Sequence, residues 1–269
     1  MLLGLGSYIF RYSVGIESFR PERPMGPVEL VEQAADLGAG LVQFADNLPL
    51  DGYSDEVLDL VRETANQKGI VLEVGTAGAK EDRLLRYLEI AERLNAKLLR
   101  ITIHAPDTHP SDEEALAVFK AILPKFKNAG ITIAIENHFT MTSQNLLSLV
   151  DQINDPIVGI CLDTANSIVQ QEWPMETVQM LSKHAVSLHL KDYKLTAHPE
   201  GVGVMITGAP LGAGDQDIDA IMNHLKLQGK DVNMILEQWM PSFETEEATL
   251  RNEIEWIRQS IKAARRFIQ

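Results

Sequence analysis

Cysteine is nearly absent from this 269-residue chain: Cys161 stands alone, so no intrachain disulfide can form. A reducing, cytoplasmic setting is expected on that ground. Long apolar runs are missing too. No stretch approaches the roughly 20 consecutive apolar residues that span a bilayer, and no membrane partner is expected. The apolar opening, residues 1–10, lacks the basic start and small-residue cleavage site of a signal peptide and reads as a first strand. Positive charge is in deficit. Lys and Arg number 24 against 38 Asp and Glu, a formal net charge of -14, and the basic residues are scattered along the chain. That pattern repels polyanions and excludes nucleic acid as a partner. An early glycine-rich phosphate fingerprint is missing as well, which weighs against a doubly wound nucleotide-binding sheet.

Repetition is what the chain does have. Its apolar residues fall into eight short runs, at residues 2–9, 41–44, 70–74, 98–103, 131–135, 157–162, 185–190 and 232–236, each about the length of a buried parallel strand. Segments with helical spacing lie between them. Val28, Leu30, Val31, Ala34, Ala35 and Leu37 form one apolar stripe, and Val57, Leu58, Leu60, Val61 and Ala65 the next. Further amphipathic stretches cover residues 81–94, 112–126, 143–153, 175–181, 217–227 and 244–267. Gly38 or Gly40, Gly69, Gly130 and Gly229 stand just ahead of a strand, where a left-handed residue ends a helix. Alternating units with no linker and no change of composition predict one α/β domain over residues 1–269, a single (β/α)8 TIM barrel, a fold that commonly takes roughly 250 residues. Residues 11–27 and 195–214 exceed the connections such a barrel needs. The second segment carries Gly201, Gly203, Gly208, Gly212 and Gly214 and is a candidate lid over the mouth.

A parallel barrel gathers its chemistry where its strands end. Glu136, Asn137 and His138 follow strand five; Asp163, Thr164 and Asn166 follow strand six; His189, Lys191 and Asp192 follow strand seven; Glu237, Gln238 and Trp239 follow strand eight. Any one of these alone would be an ordinary turn or cap residue. Three carboxylates and an imidazole converging on one mouth repel one another unless a cation neutralises them. Glu136, Asp163, His189 and Glu237 are therefore the expected ligands of one divalent metal. Oxygen and nitrogen donors without thiolate suit Mn(II) or Mg(II) first, and the imidazole admits Co(II) or Zn(II).

The remaining strand ends offer substrate contacts: Arg11 with Tyr8 after strand one, Asp46 and Asn47 after two, Glu73 after three and His104 after four. His138, Asn166, Lys191 and Trp239 join them from the second half. Lys191 shares the parity of His189, so its ammonium can neutralise a substrate carboxylate or enediolate. Trp239 shares the parity of Glu237 and is a candidate apolar wall.

The runs Ile-Ala-Ile-Glu136-Asn-His, Cys-Leu-Asp163-Thr, Leu-His189-Leu-Lys-Asp and Ile-Leu-Glu237 resemble the xylose isomerase-like superfamily of barrel sugar isomerases and epimerases over nearly the whole chain. The resemblance implies a mononuclear site and a small sugar or sugar acid as substrate. It also implies enediolate chemistry, in which the metal grips a carbonyl and a neighbouring hydroxyl while Glu136 and Glu237 move a proton. An isomerase or epimerase is the expected activity, and a homo-oligomer the expected assembly. The His189-Leu-Lys-Asp run is similar to the inosose dehydratase and isomerase branches. Residues 7–15 and 45–49 look like the superfamily's lyase neighbourhood that acts on 3-oxo-isoapionate. A lyase, either a β-keto sugar-acid decarboxylase or an inosose-type dehydratase, is therefore the alternative. Two departures matter. The ketose 3-epimerases place a His three residues after the strand-six Asp and an Arg after the strand-seven His, where this chain has Asn166 and Asp192. The endonuclease IV-like branch needs extra histidines where this chain offers Asp46, Glu73 and His104.

Overall fold

In the computed structural model, which describes residues 1–268, eight parallel strands close into a barrel. They are β1 (Leu3–Gly6), β2 (Leu41–Gln43), β3 (Val71–Ala77), β4 (Leu98–Thr102), β5 (Thr132–Glu136), β6 (Val158–Asp163), β7 (Ala185–Leu190) and, after an antiparallel hairpin of β8 (Asp192–Ala197) and β9 (Val204–Ala209), β10 (Asn233–Leu236). Each barrel strand pairs with its neighbours in chain order, and β10 returns to β1, pairing Gly4 with Ile235. Around the barrel run α1 (Arg11–Val14), α2 (Pro27–Asp36), α3 (Asp55–Lys68), α4 (Glu81–Arg93), α5 (Asp112–Ala129), α6 (Ser143–Ile153), α7 (Pro174–Leu181), α8 (Ile218–Leu227) and α9 (Glu246–Ala264).

The helix boundaries follow local chemistry. Proline opens α2 and α7, where a missing N–H costs nothing. Ser111 caps α5 by accepting from the Glu114 amide, while Glu114 reaches back to the Ser111 amide. Gly69 and Gly130 end α3 and α5 in the left-handed region, as the sequence predicts. Asn154 does the same for α6 at φ 48, a stop that a search for glycine misses.

Side chains alternate along a strand. One set, including Val42, Leu72, Val74, Leu99, Ile101, Ile135, Leu162 and Leu188, joins helix residues such as Leu30, Leu58, Phe119, Ile122 and Ile257 in a continuous buried core. The other set turns into the barrel and is strongly polar. Gly75 makes room there: a Cβ would stand 2.6 Å from the Phe44 carbonyl oxygen and 3.3 Å from Arg100 Cδ.

Two segments differ from the sequence expectation. The first strand stops at Gly6, and residues 7–14 coil into a helical turn and α1. Ser7 causes the turn, since its Oγ accepts from the Ala45 amide and donates to Asn47 Oδ1, drawing the chain off the sheet. Residues 195–214 are not an open loop, because most of them build the hairpin. Asp192 anchors its base, with Oδ1 accepting from the amides of Tyr193 and Gln216 and Oδ2 from those of Gly212 and Gly214. Gly208 lies so close to Trp239 that a Cβ would meet its backbone at 2.4 Å. The hairpin is thereby fixed to the ends of β7 and β10.

Candidate metal centre

The inward-facing ends of β5, β6, β7 and β10 bring Glu136, Asp163, His189 and Glu237 together, all of them buried. His189 Nδ1 lies 3.3 Å from Glu136 Oε2, 3.3 Å from Glu237 Oε1 and 3.8 Å from Asp163 Oδ2. None of these contacts has hydrogen-bond geometry, so Nδ1 is an unpartnered buried atom, and so is Asp163 Oδ2. Lys191 Nζ sits 2.8 Å from Asp163 Oδ2, but off the line that a hydrogen bond needs.

The imidazole is fixed from behind. Glu73, deeper in the barrel, accepts amide N–H groups from Gln43 on Oε2 at 2.9 Å and from Asn233 on Oε1 at 3.2 Å. Gln43 must then turn its oxygen to His189, and Nε2 of the ring donates to it at 2.6 Å. That relay leaves the Nδ1 lone pair aimed at three carboxylates. A histidine oriented by a hydrogen bond on its far nitrogen is the usual arrangement of a metal ligand.

The other candidate ligands are braced as firmly. Asp163 Oδ1 accepts from the amides of Ala165 and Asn166, and the Asn137 side chain pairs with the Asp163 backbone in both directions. Glu136 accepts from Asn166 Nδ2 at 2.8 Å on Oε1 and from Arg100 Nε on Oε2. Glu237 accepts from Lys191 Nζ at 2.7 Å.

Electrostatics agree with a cation between these groups. Burial opposes charge on Glu136, yet Arg100 and His189 hold its carboxyl well below the ordinary range. Glu237 is likewise lowered, burial being outweighed by Lys191 and His189. Burial raises Asp163, and Glu136 and Glu237 add to it. His189 is driven well above its ordinary value against burial by the neighbouring carboxylates, Glu237 and Glu136, so the cluster draws positive charge onto Nδ1. Asp46, Glu136, Asp163 and Glu237 set four carboxylates against Arg100 and Lys191. Deeper in the barrel, burial raises the Glu73 pKa against its bonds from Gln43 and Asn233.

Asp163, His189 and Glu237 offer ligand atoms all within 4.8 Å of one another, and a second such group joins Glu136, Cys161 and His189. The thiol is a departure from the expected donor set. Cys161 lies two residues before Asp163 and so on the same face of β6. Burial raises its pKa, which keeps it a thiol and favours the oxygen-rich group for a hard ion.

Above the cluster opens a cavity of about 350 Å³. Of the sequence candidates, Tyr8, Arg11, Glu136, His138, Asn166, Lys191, Glu237 and Trp239 line it, with Asp163 and His189 in the cluster below. Lys191 Nζ sits 5.2 Å from the Trp239 ring centroid as well as on Asp163 and Glu237. Glu73 does not reach the cavity and acts through Gln43 instead. His104 does not reach it either: its ring nitrogens bond Thr140 Oγ1 at 2.7 Å and the Pro110 carbonyl at 3.2 Å, and the ring stacks on His109. Sequence reasoning missed Gln43, Arg100 and Phe139. Arg100 and Gln43 carry one faint signal, a polar side chain inside an otherwise apolar buried strand.

A family model described as xylose isomerase-like TIM barrel matches residues 31–260. The 3-oxo-isoapionate decarboxylase of Pectobacterium atrosepticum is 33% identical over 261 residues, covering 97% of this chain and 94% of the relative. A D-psicose 3-epimerase crystallised in the presence of D-fructose superposes with a TM-score of 0.75 at 15% identity, covering 100% of this chain and 99% of its own. A xylose isomerase-like barrel protein from Mycobacterium smegmatis in complex with magnesium gives 0.72 at 14% identity, covering 98% of each chain. At such identities the two structures bear on the fold. The lyase expectation agrees with the activity for which the decarboxylase relative is named. No helix among the described residues is long and apolar enough to cross a membrane.

Proposed function

Because the chain belongs to the xylose isomerase-like TIM barrel family, we propose that it is a divalent-metal-dependent decarboxylase of a small 3-oxo sugar acid. Glu136, Asp163, His189 and Glu237 would hold the ion, with Mg(II) or Mn(II) favoured by the three carboxylates. When bound, such an ion supplies a Lewis acid that draws electron density from a carbonyl oxygen.

One observation carries the choice of reaction: each glutamate that would shuttle a proton in an isomerase is held by a buried cation, Glu136 by Arg100 and Glu237 by Lys191. A two-base proton transfer wants those carboxylates free. Decarboxylation of a β-keto acid needs no base at carbon. The bond between the α-carbon and its carboxylate breaks, its electron pair enters the adjacent carbonyl to give an enolate, carbon dioxide leaves, and one solvent proton is taken up at carbon. For that sequence the cavity needs positive charge near the carbonyl oxygen, and Lys191 lines it with its ammonium buried between Asp163 and Glu237. The decarboxylase relative, aligned over nearly the full length, supports the same reading.

The isomerase or epimerase expectation is the second reading, favoured by the placement of both Glu136 and Glu237 on the cavity wall. The two readings part in one experiment. The Mn(II)-loaded protein is incubated with 3-oxo sugar acids and, separately, with ketoses and aldonates in deuterated solvent. Metal-dependent carbon dioxide release is the expected result. Deuterium exchange next to a ketose or aldonate carbonyl, without carbon dioxide release from any 3-oxo acid, would overturn it.

A further inference from the structure

We propose that Arg11 is the receptor for the substrate's carboxylate and that Glu253, on α9 and outside the candidate ligand set, is the positioning residue that holds it there; this rests on reading the substrate as a sugar acid. Arg11 lines the same cavity as Lys191 and Glu237. Its Nε is buried with no hydrogen-bond partner, and among the described residues its guanidinium forms no ion pair. That is anomalous in a chain of net charge -14, whose two other cavity cations, Arg100 and Lys191, each sit on two carboxylates. An unpaired guanidinium fork is complementary to a carboxylate arriving from outside, which it grips through two parallel hydrogen bonds.

The segment presenting Arg11 is built for that task. Arg11 opens α1, a single four-residue turn with too few hydrogen bonds to hold itself. Glu253, fully buried on α9, supplies what is missing: Oε1 accepts from the Tyr12 amide at 2.7 Å, and Oε2 accepts from the Ser13 amide at 3.0 Å and the Ser13 hydroxyl at 2.5 Å. Tyr12 is tied from its other end, its hydroxyl donating to the Met240 carbonyl at 2.8 Å, and its ring lies 5.3 Å from the Arg11 guanidinium carbon. The Arg11 guanidinium acts on Glu253 only from beyond ion-pair distance, so the hydrogen bonds of this buried carboxylate go to the segment that carries Arg11. One fork suits a monoanion; the second charge of a phosphate would face Glu136 and Glu237.

Calorimetric titration of the Mn(II)-loaded full chain tests this with D-gluconate, neutral D-glucitol and D-glucose 6-phosphate. Gluconate is expected to bind about 10- to 100-fold tighter than glucitol, the worth of one or two charge-assisted hydrogen bonds. Arg11→Met should erase that preference by weakening gluconate far more than glucitol, and Arg11→Lys should keep part of it. Glu253→Gln should lower gluconate affinity several-fold with glucitol unaffected, whereas a merely structural role would weaken both ligands alike. Equal binding of gluconate and glucitol by the wild-type protein, an unaltered preference in Arg11→Met, or a preference for the phosphate would each overturn the assignment. Carbon dioxide release without a gluconate preference would remove the receptor and keep the decarboxylase. A gluconate preference without carbon dioxide release would do the reverse.

Discussion

Replacing Gln43 with Met should weaken metal binding although no ligand is touched. In the native chain Gln43 joins two buried groups: its oxygen accepts from His189 Nε2 at 2.6 Å and its amide donates to Glu73 Oε2 at 2.9 Å. Methionine matches the length but satisfies neither. Two buried polar groups then lose a partner, each costing roughly 1–3 kcal/mol, so the fold should lose roughly 2–6 kcal/mol. His189 also loses the contact that fixes its tautomer and aims Nδ1 at the three carboxylates. Removing such a supporting hydrogen bond typically costs about 10- to 100-fold in metal affinity. Competition against a chelator of known affinity measures the second effect, and urea unfolding with and without Mn(II) measures the first. Wild-type Mn(II) affinity in a folded Gln43→Met protein would refute the idea that the His189–Gln43–Glu73 relay prepares a metal ligand.

Three further outcomes are expected. Arg100→Met strands Glu136 and Asp46, so urea unfolding should show a loss of roughly 3–5 kcal/mol, as for a broken buried pair, and a loss under about 1 kcal/mol would contradict it. Burial pushes the Glu253 carboxyl up to about 7 from 4.5. The folded state therefore favours the proton, and the resulting stability is complete below the unfolded value and fades as pH rises through the folded one. Glu253→Gln cannot titrate, so its deficit relative to wild type should shrink by up to roughly 3 kcal/mol between pH 4.5 and about 8 in denaturant melts, and a constant deficit would count against the shift. Asp192→Ala removes the acceptor for four backbone amides at the hairpin base and should expose residues 198–203 to limited proteolysis; an unchanged cleavage pattern would show that other contacts hold the hairpin.

The barrel was legible because strands buried on both faces appear as short apolar runs, and the gathering of Glu136, Asp163, His189 and Glu237 because a fixed parity at successive strand ends aims them inward. Parity also makes sense of what was overlooked. Gln43, Arg100 and Cys161 share that inward face but lie within the runs, where one polar or small residue looks like noise. His104 shows that ending a strand is insufficient: the chain turns straight into the Ala105–Thr108 bridge, and the ring is taken up by Thr140 and Pro110. The hairpin escaped because residues 195–214 lack the periodicity of a core strand. Their pairing depends on Asp192, whose role as a cap for distant glycines has no local sequence signature.

The most direct measurement is anomalous scattering from crystals grown with Mn(II). One manganese per chain is predicted, with His189 Nδ1 and oxygens of Glu136, Asp163 and Glu237 within about 2.3 Å. A protein that takes up no stoichiometric manganese, or a peak whose nearest donors lie elsewhere while Lys191 still bridges Asp163 and Glu237, would contradict the metal centre and the chemistry built on it.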